Sequence, residues 1–185
     1  VQSDRNDAEL TDAILQVGDW NVHLPQDGQT GTAYKGPALL PFTTYGVRLT
    51  VTDNTGAAAE AETTFETGRM ETPWRGQWIS DPAFTFTEAK VSPVPMVFRK
   101  TIETAKPIAR ARLYATAMGI YEVELNGQKL GEQYFAPGFT SYKSYLQYQT
   151  YDVTALLTGA DTLTFTVAGG WAVGSFVFTR KNRVT

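Results

Sequence analysis

Residues 108–131 read IARARLYATAMGIYEVELNGQKLG. In the second half of that stretch Tyr121, Val123 and Leu125 alternate with Glu122 and Glu124. Side chains along a strand point to opposite faces in turn, so this run buries one face and wets the other. Asn126-Gly127 follows at once. Both central positions of a type I′ turn need positive φ, and this dipeptide predicts a tight hairpin returning through Gln128-Lys129-Leu130. Upstream, residues 110–117 predict another strand, with Leu113, Ala115 and Ala117 on one face. An antiparallel, half-buried sheet is therefore expected here.

Composition narrows what surrounds that sheet. At 185 residues the chain has room for one large or two small domains. Apolar residues make up 42% and charged residues 19%, the balance of a packed globular protein rather than a disordered one. The net charge is -3, and no dense Lys/Arg cluster provides a footprint for nucleic acid. Cysteine is absent, which excludes disulfides, thiolate metal sites and thiol catalysis. No run approaches the roughly 20 apolar residues of a membrane-spanning helix. A chain that opens on Val1, with no signal peptide, is expected to be a piece of a longer protein.

Taken in order, residues 1–35 give a weak pattern. Ala13-Ile14-Leu15 with Val17 form a short apolar run that ends at Gly18-Asp19, and Trp20 and Val22 fit a further strand. The one histidine, His23, has no carboxylate, Ser or Cys beside it in sequence and is read as a surface residue. From Leu39 the signal sharpens. Residues 39–47 have the spacing L-x-P-x-T-x-Y-x-V, and Val47, Leu49 and Val51 then alternate with Arg48, Thr50 and Thr52. Asp53-Asn54-Thr55-Gly56 is a turn, and 63–67 predicts the next strand. This pattern resembles the second half of a fibronectin type III domain. There a Tyr at the start of a strand ties the preceding loop back to the backbone. Too few residues precede Leu39 for the seven strands of a complete module, so its first strands are expected to be missing or short.

Gly68 to Pro73 is a polar linker, followed by Trp74 and Trp78-Ile79. Tryptophans beside such a linker are expected to pack at a seam between domains. An indole pair can also line a sugar site, because flat rings stack on the apolar C–H faces of pyranoses. Pro82, Pro93 and Pro95 predict a loop or irregular edge over 83–95. A strand is expected from Met96 to Ile102. Beyond the opening stretch, 134–151 holds five tyrosines around a Pro137-Gly138 turn. Residues 152–157 predict a short helical turn capped by Asp152 or Thr154 and closed at Gly159, and 162–167 predict a strand. Ala168-Gly169-Gly170-Trp171 opens a glycine-rich loop that lacks the Lys-Ser/Thr of a phosphate loop. A last strand is expected at 176–178.

Several separate blocks now point one way. They are Met96-Val97-Phe98-Arg99-Lys100; the run from Arg110 to Ala117; Gly119-Ile120-Tyr121-Glu122-Val123-Glu124-Leu125-Asn126-Gly127; Ala136-Pro137-Gly138-Phe139-Thr140-Ser141-Tyr142; the run from Tyr148 to Thr154; and Gly170-Trp171 with Gly174. In this order they resemble the N-terminal β-sandwich domain of bacterial α-L-rhamnosidases, and the fibronectin-like stretch before them is similar to what precedes that domain. The resemblance spans about residues 34–175. It implies an all-β chain of two antiparallel β-sandwich domains, neither of which need be complete. A fibronectin type III-like module over 1–70 is followed by a jelly-roll-like rhamnosidase domain over 71–185.

The resemblance also implies a parent enzyme that removes terminal α-L-rhamnose from glycosides and polysaccharides with inversion. Inverting enzymes place an acid and a base carboxyl roughly 6.5–9.5 Å apart. In this family they sit in a later (α/α)6 barrel of several hundred residues, so no catalytic residue is carried over to this chain. Glu122 and Glu124 lie two apart on one strand face and are read as a solvated surface, not as that pair. The expected partners are the parent's barrel and, through it, rhamnose-containing glycosides, with neither nucleic acid nor a membrane. Rhamnosidases occur inside and outside bacterial cells, and the lack of cysteine fits both.

Some relatives hold rhamnose beside a calcium ion. That variant carries an Asp-Asn pair in the turn before the Tyr…Asn-Gly strand and an Asn or Asp just before Gly-Trp. Here those places hold Ala117-Met118 and Gly169, which offer no side-chain oxygen to a cation that needs several. No metal or other cofactor is therefore expected. Trp171, Phe139 and Tyr142 remain as candidates for a metal-free sugar contact. Three functions follow: an accessory region of a rhamnosidase, an autonomous carbohydrate-binding module, or a scaffold of repeated sandwiches. The scaffold predicts a second copy of the 39–47 pattern, and none is present.

Overall fold

The computed structural model describes residues 5–25, 31–83, 94–142 and 144–173. The chain divides into two compact units, Val1–Gln77 and Trp78–Thr185. The described residues are almost entirely strand and loop, and every strand pairing is antiparallel.

The first unit is built on one four-stranded layer. Its strands are β1 (Leu10–Val17), β2 (Trp20–His23), β3 (Thr44–Asp53) and β4 (Ala58–Glu66), in the spatial order β2-β1-β3-β4. The weak pattern at the start of the chain is thus a hairpin, turned at Gly18 with φ +55. Register explains the pattern. Val17 opposes Val47, Leu15 opposes Leu49 and Ala13 opposes Val51, so one face of the layer is an apolar row. Tyr45 stacks on Phe65 at that face, ring centroids 5.5 Å apart. The other face is charged: Arg48 pairs with Glu62 at 2.6 Å. There His23 also meets a carboxylate, its Nδ1 lying 3.0 Å from Asp12 Oδ1. Sequence distance had hidden that partner, which the antiparallel register brings diagonally opposite. Both groups are exposed, so His23 remains a surface residue.

The loop before β3 is tied down from two sides. The Leu40 N–H donates to Tyr45 Oη at 2.8 Å, the phenol-to-backbone tie that the fibronectin type III resemblance implies. Thr67 works from the far end. Its hydroxyl donates to Leu40 O at 2.6 Å and accepts the Thr43 N–H at 2.9 Å. Together these bonds hold Phe42 at φ +55, an unfavourable region for a residue with a Cβ. Thr67→Val keeps the shape and removes both bonds in a part-buried place. The expected cost is about 1–3 kcal/mol, read from a lower urea midpoint of this unit. An unchanged midpoint would mean that water replaces the hydroxyl without loss.

The second unit has two layers. The larger holds β5 (Met96–Glu103), β7 (Ile120–Leu125), β8 (Gln128–Lys129) and β10 (Ala160–Ala168) in the order β5-β10-β7-β8. The smaller pairs β6 (Arg112–Ala115) with β9 (Gln149–Asp152). The predicted alternation holds, with Tyr121, Val123 and Leu125 at 1–3% exposure and Glu122 and Glu124 outside. The hairpin also holds: Asn126 and Gly127 have φ of 53° and 79°, and Leu125 opposes Gln128.

The two opening strands do not pair with each other. β6 joins β9 and β7 joins β10, so residues 116–119 cross from one layer to the other. The reason is burial. Two strands in a hairpin would turn their apolar faces the same way and need a separate cover. Set in opposite layers, they cover each other. Ala115 and Ala117 accordingly share one core with Tyr121, Val123, Leu125, Leu130, Ala136 and Val153. Tyr121 also ties the layers by polar contacts, its Oη lying 3.2 Å from Ala115 O and from Tyr151 Oη. Burial and the Tyr151 hydroxyl push its phenol well above the ordinary tyrosine range.

Smaller differences are local. The turn predicted at 152–157 is a 3-10 turn over Thr154–Leu156, and its cap position, Val153, makes no side-chain bond. Asp152 Oδ1 instead accepts the Thr154 N–H at 3.0 Å. The strand predicted at 176–178 and most of the loop predicted over 83–95 lie outside the described residues.

Candidate functional site

The three residues singled out for sugar contact, Trp171, Phe139 and Tyr142, have different fates. Phe139 is 54% exposed and meets Trp171 edge to face, ring centroids 5.9 Å apart. Phe135 approaches the same indole at 6.0 Å, also edge to face, and is 59% exposed. Tyr142 is 7% exposed, and its hydroxyl is buried without a hydrogen-bond partner. A ring so enclosed is part of the packing and presents no open face to a ligand in solution.

Local structure explains why two phenylalanines reach solvent beside one indole. Ala136 lies between them in sequence and is buried at 5% exposure. Its carbonyl accepts the Tyr121 N–H at 2.6 Å, which pins the segment to the edge of the larger layer. Phe135 has φ +58 and Gly138 φ +105, so the chain turns tightly on either side of the pin. The Gly138 N–H closes that turn on Phe135 O at 2.9 Å. With Ala136 inside, both phenylalanines project outward.

Trp171 is set by a similar device. It sits on a single helical turn, Gly170–Val173, whose Ala172 is buried at 3% exposure. Gly170 adopts φ +47 and lies so close to Ile120 that a Cβ there would come within 2.8 Å of a side-chain carbon. The Gly-Trp pair is thus a backbone requirement followed by the ring that the backbone presents. Phe135 escaped the sequence reading, although the symmetric spacing Phe135-Ala136-Pro137-Gly138-Phe139 carried the signal.

The crossing at 116–119 lies against the start of that turn. A Cβ on Gly119 would fall 2.2 Å from Ala168 O and 3.0 Å from Gly169 O. The crossing and the backbone of Ala168-Gly169 are therefore neighbours. Ala117, Met118 and Gly169 supply no side-chain oxygen to a calcium ion. Among the described residues no group of three or more His, Asp or Glu side chains converges as a metal site would require.

Glu122 and Glu124 are both exposed on the outer face of β7. Glu122 pairs with Lys129 at 2.8 Å, and the same ammonium sits 4.0 Å above the ring of Tyr134. Neither glutamate is enclosed. Trp74 is 45% exposed and Trp78 is 63% exposed. The Trp74 ring carries the Arg69 guanidinium 3.9 Å from its centroid, so a residue of the linker itself is its packing partner.

Comparison with known proteins gives a consistent result. The family described as the alpha-L-rhamnosidase N-terminal domain matches residues 106–185. An alpha-L-rhamnosidase of Streptomyces avermitilis is 52% identical over 71 residues, which is 38% of this chain and 7% of that protein. Among solved structures, the alpha-L-rhamnosidase from Dictyoglumus thermophilum superposes with a TM-score of 0.83 over 94% of this chain and 22% of its own, at 22% identity. The alpha-L-rhamnosidase from Aspergillus terreus gives 0.73 over 92% of this chain and 21% of its own, at 28% identity. The chain thus spans less than a quarter of each of these three proteins. It corresponds to the N-terminal region of an α-L-rhamnosidase, with residues 106–185 matching that family's N-terminal domain.

Proposed function

We propose that this chain is a non-catalytic accessory region of an α-L-rhamnosidase, and that hydrolysis belongs to a separate (α/α)6 barrel. The observation that carries this reading is coverage. The match takes in only 21% of the Aspergillus terreus enzyme, and it falls on β-domains in which Glu122 and Glu124 face solvent. The parent would act with inversion on rhamnose-containing glycosides or polysaccharides. The first part, 1–70, is read as the remaining layer of a fibronectin type III-like module. The strand order β2-β1-β3-β4 and the Tyr45 tie support that reading. Sequencing the gene past the codon for Thr185 tests the proposal. Several hundred further codons for a helical barrel with paired carboxylates are expected, and a stop codon there would overturn it.

One observation favours a second reading, a metal-free carbohydrate contact. Phe135 and Phe139 are both exposed and each meets Trp171 edge to face, an aromatic cluster able to receive the apolar face of a sugar. Titration of L-rhamnose into the chain, with and without calcium, followed by tryptophan fluorescence, separates the two. A pure accessory role predicts no saturable response at millimolar sugar. A saturable, calcium-independent response that Trp171→Ala abolishes would establish the binding role.

A further inference from the structure

The hairpin turn carries a reactive sequence. Asn126-Gly127 is the one Asn-Gly pair in the chain. An asparagine followed by glycine is chemically labile, because the next backbone nitrogen has no Cβ beside it to obstruct its attack on the side-chain carbonyl carbon. In that reaction the Gly127 nitrogen bonds to Asn126 Cγ, the Cγ–Nδ2 bond breaks, and ammonia leaves with the Gly127 amide proton. Water then opens the five-membered imide at either carbonyl, giving aspartate or isoaspartate.

Asn126 is exposed, so water has access to it. Its carboxamide, however, is engaged at both atoms. Nδ2 donates to Asp161 Oδ1 at 2.8 Å, and Oδ1 accepts the Thr162 N–H at 2.8 Å. The Asn126 N–H is also held, on Thr162 O at 2.8 Å. To meet the Gly127 nitrogen, the carboxamide must leave both of its partners. Asp161 is itself anchored, with no exposed surface, by the N–H groups of Thr158 and Gly159 and by the Thr158 hydroxyl.

We propose that Asn126 is a deamidation site which the folded hairpin keeps closed, and that conversion in the unfolded chain leaves a product whose hairpin refolds with lower stability. The closure is kinetic: attack requires two hydrogen bonds to break, one of them to a carboxylate. The loss of stability is electrostatic and geometric. An aspartate at 126 would set its carboxylate against that of Asp161, where the amide donor now stands, and two adjacent like charges repel. An isoaspartate would add a backbone carbon to a two-residue turn that fixes the register of β7 and β8.

The full chain is incubated at mildly alkaline pH in buffer and in urea, and peptides are mapped by mass for the change from amide to acid. Conversion at Asn126 is expected in urea and to be roughly tenfold to a hundredfold slower in buffer, the factor that two hydrogen bonds of ordinary net strength represent. Equal rates, with circular dichroism showing the buffered chain folded, would overturn the closure. The lesion is tested with Asn126→Asp against Asn126→Gly, which keeps the positive-φ turn without adding charge. At neutral pH the Asp variant is expected to unfold at lower urea than the Gly variant, and the gap to narrow as the carboxyls protonate. If the Asp variant is unfolded at neutral pH, recovery of structure in acid reads the same repulsion. An Asp variant as stable as the Gly variant would overturn the predicted loss of stability.

Discussion

Leu125→Ala is expected to lower the unfolding free energy of the second unit by about 2–5 kcal/mol. Leu125 is 3% exposed and lies in the common core with Val123, Ala115 and Val153. It opposes Leu163 on the central strand and Gln128 across the hairpin, so it stands where β7 joins both of its neighbours. Three methyl-sized groups removed there leave a cavity that β10 and the turn cannot both move to fill. The next residue back gives the control. Glu124 is exposed on the same strand, and Glu124→Ala should change stability by no more than about 0.5 kcal/mol. Urea unfolding followed by tryptophan fluorescence reads both. Equal costs would mean that the alternation along β7 does not separate core from surface.

Acid is expected to loosen the same unit through Asp161. The Asn126 amide does most to hold its carboxyl down, at about 2, with the Thr158 N–H, the Thr158 hydroxyl and the Gly159 N–H adding to it against the opposing push of burial. In the unfolded chain an aspartate titrates near ~3.9. A folded-state pKa below the unfolded one means that folding favours the ionised form. The stabilisation is therefore complete above the unfolded value and is lost as pH falls from about 4 towards about 2. Asp152 is also held low, by the Thr154 hydroxyl and N–H, so the wild-type curve alone mixes two groups. Asp161→Asn isolates one of them. The variant should be clearly less stable than wild type at neutral pH, and the difference should shrink through that acid window. Parallel curves for the two proteins would show that the Asp161 charge contributes nothing to the turn.

The hairpin was legible because its information is local. Alternation over six residues and a dipeptide with two positive-φ positions are enough to specify β7, the turn and which face is wet. The partner of each strand was not legible. Nothing within 108–131 reveals that β6 pairs with β9, because that choice depends on residues 149–152 and on the need of two apolar faces for mutual cover. The Tyr45 tie was legible for the opposite reason, since donor and acceptor are five residues apart. His23 and Asp12 lie eleven apart and meet only through the register of β1 and β2. At the aromatic site, Trp171 and Phe139 were found as residue types beside glycine, and Tyr142 with them. Type alone does not say which ring faces out. That is decided by the buried Ala136 and Ala172, whose small side chains gave no signal of their own.

The family reading rests on blocks scattered over 96–174, and the comparisons support it at that level. The division of labour inside the parent enzyme is the step beyond. Incubating the purified chain with an aryl α-L-rhamnoside and following release of the aryl group tests it most directly. No turnover above the rate of buffer is expected, at any chain concentration and with or without calcium. Release of rhamnose that scales with the chain and survives further purification would place a catalytic pair within these 185 residues and contradict the accessory role.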